Sequence, residues 1–261
     1  MPYGLGYVLS GGGSRGFAHL GCLKALEERG IRPDIISGVS AGAIAGAFLS
    51  AGISPKETHA ILKKGNLFKY TALTIPTTGL LKLDGLQSVL ERYIPFQRLE
   101  ELPIPLIVGA TNMTDGCMEY FQQGHLSQIL LASSSIPILF APVQIDGKMY
   151  SDGGMLENIP IEPLVGKCDR LLVSNVSPLH RPVEIKNLIQ MVVRTFHVSI
   201  HARIKTARKH ADVYIEPQPL ADFDLLNAGH ADEAFEIGYK AVELLDTKQI
   251  KLLQKACSAN C

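Results

Sequence analysis

Gly11-Gly12-Gly13-Ser14-Arg15-Gly16 follows a short apolar run and opens an amphipathic one. Backbone N–H groups at the start of a helix attract negative charge, and glycines let an anion approach them closely. The anion is either the pyrophosphate of a dinucleotide or the oxyanion of an acyl-transfer intermediate. Gly38-Val39-Ser40-Ala41-Gly42 is a G-x-S-x-G pentapeptide at a second strand-to-helix turn. Its small neighbours permit a sharp turn that pushes the serine hydroxyl out at the N-terminus of the next helix. A glycine-flanked serine that merely caps a helix has the same sequence.

Taken together, the two sites discriminate between these chemistries. A dinucleotide fold carries an acidic residue at the end of the second strand, about 20 positions after the glycines. Ser37 to Ser40 stand there, and Asp34 lies at the start of that strand. The C-terminal ends of parallel strands lie along one edge, so the glycine loop and Ser40 share a crevice. Hydrogen-bond donors beside a nucleophile favour acyl transfer over cofactor binding.

A serine hydroxyl needs a positioned general base. The later histidines are His180, His197, His201, His210 and His230, and none sits at a glycine-flanked strand end. His197, His201 and His210 read as the solvated face of a long basic helix. His197 and His201 have i,i+4 spacing but lack the glutamate of a zinc-binding HExxH. An α/β-hydrolase orders its triad serine, acid, histidine and places several strands before its serine, whereas Ser40 follows only the second strand. Asp152 is a different partner: Tyr150-Ser151-Asp152-Gly153-Gly154 puts it at a strand end before two glycines. Such glycines permit a tight turn and the close approach of another loop, although an ordinary Asp-Gly turn reads the same way.

Hydrophobic patterning supplies the elements that position these residues. Tyr7 to Ser10 and Asp34 to Ser37 read as buried strands, and Arg15 to Arg29 and Ala41 to Ala51 as the helices after them. The first 52 residues therefore spell β-α-β-α, the start of a parallel sheet with covering helices. A helix follows at Pro55 to Lys64, and Asp84 to Gln87 has the spacing of a capping box at another helix start. Leu106 to Val108 and Met118 to Phe121 read as strands, and Leu126 to Ser133 as a helix. Val143 to Ile145 and Lys148 to Tyr150 flank Asp146-Gly147 as a hairpin. Leu171 to Ser174 and Val213 to Ile215 are further strands, Ile185 to His210 one long helix, and Asp232 to Leu245 a last helix before a frayed tail. The expectation is a single α/β domain over residues 1–261, with the motifs in about 5–216 and a helical extension over 217–261.

Three motifs in this order, Gly11 to Gly16, Gly38 to Gly42 and Asp152 to Gly154, resemble the patatin-like phospholipase family. Ala132 to Pro137, Phe140 to Pro142 and Asn158 to Pro160 extend the resemblance to the short bacterial members. It implies a three-layer α/β/α fold around a mostly parallel sheet, and a serine hydrolase of fatty-acyl lipid esters with a Ser-Asp dyad. Ser40 would be the nucleophile and Asp152 its base. The oxyanion loop Gly11 to Gly16 would place its donors at Gly12 and Gly13, with Ser14 beside them. Arg15 would hold that loop or attract an anionic head group. Gly38 and Gly42 would shape the nucleophile turn, and Gly153 and Gly154 the aspartate loop. No metal or cofactor is implied. The competing readings are an acyltransferase on a related fold and a catalytically silent regulator.

Composition agrees with these expectations. Hydrophobic residues make up 46% of the 261 residues and charged residues 19%, the profile of a chain that buries a core. Lys plus Arg and Asp plus Glu are each 25, and this zero formal charge argues against a nucleic-acid partner. Five scattered cysteines form neither a disulfide framework nor a C-x-x-C pair, which suits a reducing, cytoplasmic setting. The N-terminus lacks the pattern of a signal peptide, and the most apolar run is too short to cross a bilayer. Residues 66–83, apolar with scattered lysines, are expected to flank an acyl pocket or form a lid. The basic stretch Arg203 to Lys209 is expected to offer a peripheral contact to an anionic membrane, or else a solvated helix face.

Overall fold

Every apolar run before residue 52 becomes a strand or a helix of one sheet-and-helix unit. The computed structural model describes residues 3–65, 71–72, 79–178, 184–200 and 204–258. The chain begins β1 (Tyr3–Leu9), α1 (Phe17–Glu27), β2 (Ile35–Gly38), α2 (Ala41–Ser50) and α3 (Pro55–Lys64). Short strands β3 (Thr71–Ala72) and β4 (Gly79–Lys82) lead to α4 (Asp84–Tyr93). The middle of the chain is β5 (Leu106–Asn112), β6 (Cys117–Phe121), α5 (Leu126–Ser134), β7 (Ile138–Phe140), β8 (Val143–Ile145), β9 (Lys148–Asp152) and β10 (Cys168–Ser174). It closes with α6 (Leu188–Ile200), α7 (Ile204–His210), β11 (Val213–Ile215), α8 (Ala231–Glu243) and α9 (Thr247–Ser258).

The main sheet is mixed. Strands β11, β10, β1, β2 and β5 run parallel in that spatial order, and β6, β8 and β9 add antiparallel pairs. In register, Leu9 stands opposite Gly38 on one side and Ser174 on the other, so the loops after β1, β2 and β10 leave at one edge. The pairing of β5 decides the rest. Val108 pairs with Gly38 of β2 and with Phe121 of β6, so these two strands lie on opposite edges of β5. Ala110 pairs with Glu119 of β6 and with Asp152 of β9. Strands β2 and β9 therefore share one edge of β5 and meet there end to end, at Gly109. That meeting brings Ser40, two residues after Gly38, next to Asp152, 112 positions later in the chain.

Alternation along the strands sorts the core onto two faces. Leu5, Tyr7, Leu9, Ile36 and Val108 join the cluster under α1, α2 and α8. Val8, Ile35, Ile107 and Val173 join the cluster under Ile159, Ile161, Leu164 and Ala207 of α7. This is a sheet with helices on both faces, the second face covered more by the 159–164 segment than by long helices.

Helices α1 and α8 cross at glycines. A Cβ added at Gly21 would lie 1.9 Å from Phe235 O, and one at Gly238 would lie 1.9 Å from Ala18 O. Neither carbonyl can move without shifting a helix. Gly238→Ala is therefore expected to cost about 3 kcal/mol, a fall in Tm of roughly 6–12 °C. A thermal melt by circular dichroism measures this, and an unchanged midpoint would contradict the packing.

Several expectations change in three dimensions. The long helix expected over Ile185 to His210 is α6 and α7, with 201–203 outside the described residues. Helix α4 takes Leu83 as its N-cap with no side-chain cap bond, so the capping box expected at Asp84 does not form. Asp84 is already a helical residue, and its carbonyl accepts from the Ser88 hydroxyl. An additional helix, α9, follows α8 and buries Leu253 and Ala256 in the main core. Arg208 is ion-paired to Glu216 and lies 4.6 Å over the Tyr214 ring, while Arg203, His180 and His201 lie outside the described residues. Among the described residues no helix is long and apolar enough to cross a membrane.

Candidate active site

The G-x-S-x-G turn is built as its composition requires. Ser40 has φ 52° and ψ −124°, a region that L-residues rarely occupy. Strain of this kind persists only where the surroundings fix it, and they do. A Cβ at Gly38 would lie 2.7 Å from Ala43 N, and one at Gly42 would lie 2.4 Å from Leu9 O and 2.5 Å from Ser10 O. The Ser40 N–H donates to Ser133 Oγ at 2.8 Å, and Ser133 Oγ donates to Gly109 O at 2.7 Å. Ser133, on α5, thus ties the strained turn to the point where β2 meets β9.

Asp152 arrives from the other side of that point. Its backbone N–H donates to Ser135 O at 2.8 Å, and its carbonyl accepts from Thr111 Oγ1 at 2.9 Å. Gly153 must be glycine because a Cβ there would lie 2.5 Å from Gly109 O. The carboxyl is only 1% exposed. Burial pushes its pKa up to about 7, against a hydrogen bond from the Gly154 N–H at 2.8 Å and one from the Ser40 hydroxyl, both of which favour the charged form. The serine and the aspartate are therefore brought together. Among the described residues no histidine hydrogen-bonds Ser40. His19 is fully buried, held by Ser10 O and Ser174 Oγ, and burial lowers its pKa to about 4.

The glycine loop lies across from Ser40 and divides its donors. Gly11 N–H donates to Asn158 O at 3.1 Å, Ser14 N–H to Leu225 O at 2.8 Å, and Arg15 N–H to Gly12 O at 3.1 Å. The N–H groups of Gly12, Gly13 and Ala41 have no acceptor among the described residues. Gly13 has φ +54°, and a Cβ there would lie 2.2 Å from Leu225 O. Arg15 is almost fully buried and works within the protein. Its Nε and Nη2 donate to Phe223 O at 2.9 and 2.6 Å, Nη2 also to Ala221 O at 3.3 Å, and Nη1 reaches Pro178 O at 3.5 Å and His197 Nε2 at 3.3 Å. Arg15 has only donors, so the His197 nitrogen facing it is an acceptor. His197 is 4% exposed, contrary to the solvated face expected for it, because that side of α6 packs onto Arg15.

An apolar cleft opens at Ser40, with Gly13 and Ala41 at its polar end and Phe17, Ile44, Leu62, Leu86 and Phe140 along it. Leu83 also lines it, the described end of the segment expected at the acyl pocket. Residues 66–70 and 73–78 of that segment lie outside the described residues. Three contributors were not legible as site residues. Ser133 lies within a run of small polar residues that carries no signature of its own. Asn158 wedges between the loops: its Oδ1 would lie 2.5 Å from a Cβ at Gly11 and 3.0 Å from one at Gly154. The segment Ala221 to Leu226 clamps the glycine loop although it belongs to the stretch read as an extension.

A sequence profile described as patatin-like phospholipase matches residues 7–165, which contain the glycine loop, Ser40 and Asp152. The chain belongs to the patatin-like phospholipase family. Its curated relatives include an uncharacterized NTE family protein of Mycobacterium tuberculosis, 33% identical over 161 residues, or 61% of this chain and 45% of that protein. The lysophospholipase NTE1 of Mycosarcoma maydis is 28% identical over 275 residues, covering 93% of this chain and 15% of that protein. The chain thus spans less than half the length of these relatives. Among solved structures, VipD from Legionella pneumophila superposes with a TM-score of 0.52 at 18% identity, over 96% of this chain and 67% of that one. This last likeness is one of fold. The patatin-like match ends before the 221–226 segment that holds the glycine loop in place.

Proposed function

We propose that the protein is a serine acyl hydrolase of lipid esters, with Ser40 as nucleophile and Asp152 as its direct general base. The observation that carries this reading is the buried Asp152 carboxyl beside Ser40, where β2 and β9 meet on one edge of β5, at the polar end of an apolar cleft, with N–H groups alongside that have no acceptor among the described residues. The names of its relatives make a lysophospholipid the first substrate to try.

In this mechanism Ser40 Oγ attacks the ester carbonyl as its proton passes to Asp152. Negative charge develops on the carbonyl oxygen, where the N–H groups of Gly12 and Gly13, with that of Ala41 at the N-terminus of α2, stabilise it. Protonated Asp152 returns the proton to the departing alcohol. Water then attacks the acyl-enzyme, gives a proton to Asp152, and the fatty acid leaves as Ser40 regains its hydrogen. A base must be deprotonated, and a pKa near 7 lies close to the working pH that general base catalysis favours.

The test is a fluorophosphonate probe read by peptide mass spectrometry, together with fatty-acid release from lysophosphatidylcholine. An adduct on Ser40 with turnover supports the reading, and an adduct on another serine refutes it. The pH profile gives a second check. Only the carboxylate form of Asp152 accepts a proton, so kcat/KM is expected to rise about tenfold per pH unit below about 7 and to level off above it. A profile flat from pH 5 to pH 8 excludes Asp152 as the base.

A further inference from the structure

The peptide that carries the Gly12 N–H has glycine on both sides. No side chain of Gly11 or Gly12 opposes rotation of that peptide about its flanking bonds. Its orientation must come from whatever holds the other end of the same planar group, the Gly11 carbonyl. That oxygen accepts from Ser177 Oγ at 2.9 Å and from Ser10 Oγ at 3.0 Å, with Asn158 Nδ2 at 3.4 Å. In a trans peptide the N–H points opposite to the carbonyl. The Gly11–Gly12 unit thus has its oxygen fixed by buried donors, while its N–H has no acceptor among the described residues.

Ser177 is the donor that is anchored elsewhere in the fold. It is fully buried in the loop after β10, and its N–H donates to Asn175 Oδ1 at 3.0 Å. Asn175 is fully buried too. Its Nδ2 donates to the Tyr214 hydroxyl at 3.1 Å and to Glu216 Oε1 at 3.0 Å, and its N–H to Ile215 O at 2.8 Å. A line of bonds from β11 therefore ends on the Gly11 carbonyl. The Ser10 hydroxyl reaches the same oxygen from the residue just before it in the chain. A Cβ at Gly12 would lie 2.6 Å from Val176 Cγ2 and 3.2 Å from Ser177 Oγ, so the loop after β10 packs directly on this peptide.

We infer that Ser177 is a positioning residue for the oxyanion donors: its hydroxyl holds the Gly11–Gly12 peptide so that the N–H stays free for the substrate oxygen. The inference rests on the hydrolase reading, which supplies the oxyanion for that N–H to meet. A hydrogen bond to the carbonyl also polarises the amide and strengthens the bond that its N–H makes. Both effects grow as charge develops on the substrate oxygen, so they act on kcat more than on KM. Residue 177 lies outside the stretch 7–165 that matches the family profile.

The experiment measures fatty-acid release from lysophosphatidylcholine by wild type, Ser177→Ala and Ser177→Cys. Cysteine fills the space of the serine, but its thiol is a weak donor. Both variants are expected to lower kcat about tenfold with KM within about twofold of wild type, less than the roughly 10²–10³-fold loss on removing an oxyanion donor outright, because the Ser10 hydroxyl remains. A kcat within about threefold of wild type in both variants overturns the role. So does a loss confined to KM, or full activity in Ser177→Cys alone, which marks packing as the cause. Circular dichroism identifies a variant that fails to fold, and the other then carries the test. The carbonyl-carbon resonance of Gly11, read by nuclear magnetic resonance through the Gly12 N–H, separates this claim from the hydrolase reading. Loss of a hydrogen bond to that carbonyl moves the resonance upfield, and this shift is expected in both variants. Should the wild type neither cleave the ester nor take the fluorophosphonate, the upfield shift still supports Ser177 as the group that orients the peptide. An unmoved resonance overturns the inference in either case.

Discussion

Ser40→Ala is expected to abolish fluorophosphonate labelling and to lower lipid-ester hydrolysis by about 10⁴-fold or more. The residue supplies the protein's only atom that bonds to the acyl carbon in the proposed mechanism. What would remain is the contribution of the N–H donors and of substrate binding. Ser40→Gly should be equally inactive yet more stable than Ser40→Ala. The backbone at this position has φ 52°, and glycine adopts it without the steric cost that any Cβ brings. The expected difference between the two variants is about 1–3 kcal/mol. Denaturant titration of both proteins measures it. Equal stabilities would mean that the turn relaxes in the absence of the hydroxyl, and that its strain belongs to the Ser40–Asp152 contact.

Asp152→Asn is expected to lose activity and gain stability, with the second effect depending on pH. Removal of the base should lower kcat by about 10³–10⁴-fold, as for other acid partners of nucleophilic serines. The stability effect follows from linkage. The carboxyl titrates near 3.8 in the unfolded chain and near 7 in the folded protein, where burial dominates. Between these values the folded state holds more protons than the unfolded one. The stability linked to this group is therefore full below about pH 3.8, declines as pH rises, and reaches its minimum above about 7. The difference corresponds to at most about 4 kcal/mol. Asparagine keeps an acceptor for the Gly154 N–H but carries no charge. The variant should melt well above wild type at pH 8 to 9 and close to it near pH 4. A variant less stable than wild type at pH 9 would show that the carboxylate is held by more hydrogen bonds than those from Gly154 and Ser40.

The alternating and 3.6-residue patterns of the first 52 residues were enough to place β1, α1, β2 and α2. The glycines at 11 to 13, 16, 38 and 42 were readable from a local rule, a glycine-rich turn between strand and helix, while atoms that exclude a Cβ there, such as Leu225 O at Gly13 and Leu9 O at Gly42, come from elsewhere in the chain. Ser40 at a strand-to-helix turn followed from the same local rule. The sequence also supplied Asp152-Gly153-Gly154, but only as a turn that common Asp-Gly pairs share. What brings that aspartate beside Ser40 is the end-to-end meeting of β2 and β9, segments more than 100 residues apart, on one edge of β5. No periodicity encodes such a register. The same holds for Ser133, whose hydroxyl fixes Ser40 through Gly109, and for Asn158 between the two loops. His197 was misplaced because helical spacing gives a face but not the neighbour that covers it, and here that neighbour is Arg15. The choice for Arg15 between holding the loop and meeting an anion was likewise made by contacts to residues 178 and 221 to 223. Local backbone preference was written in the sequence. The convergence of distant side chains was decided by packing, because a contact across the fold depends on both partners and on everything that orients them.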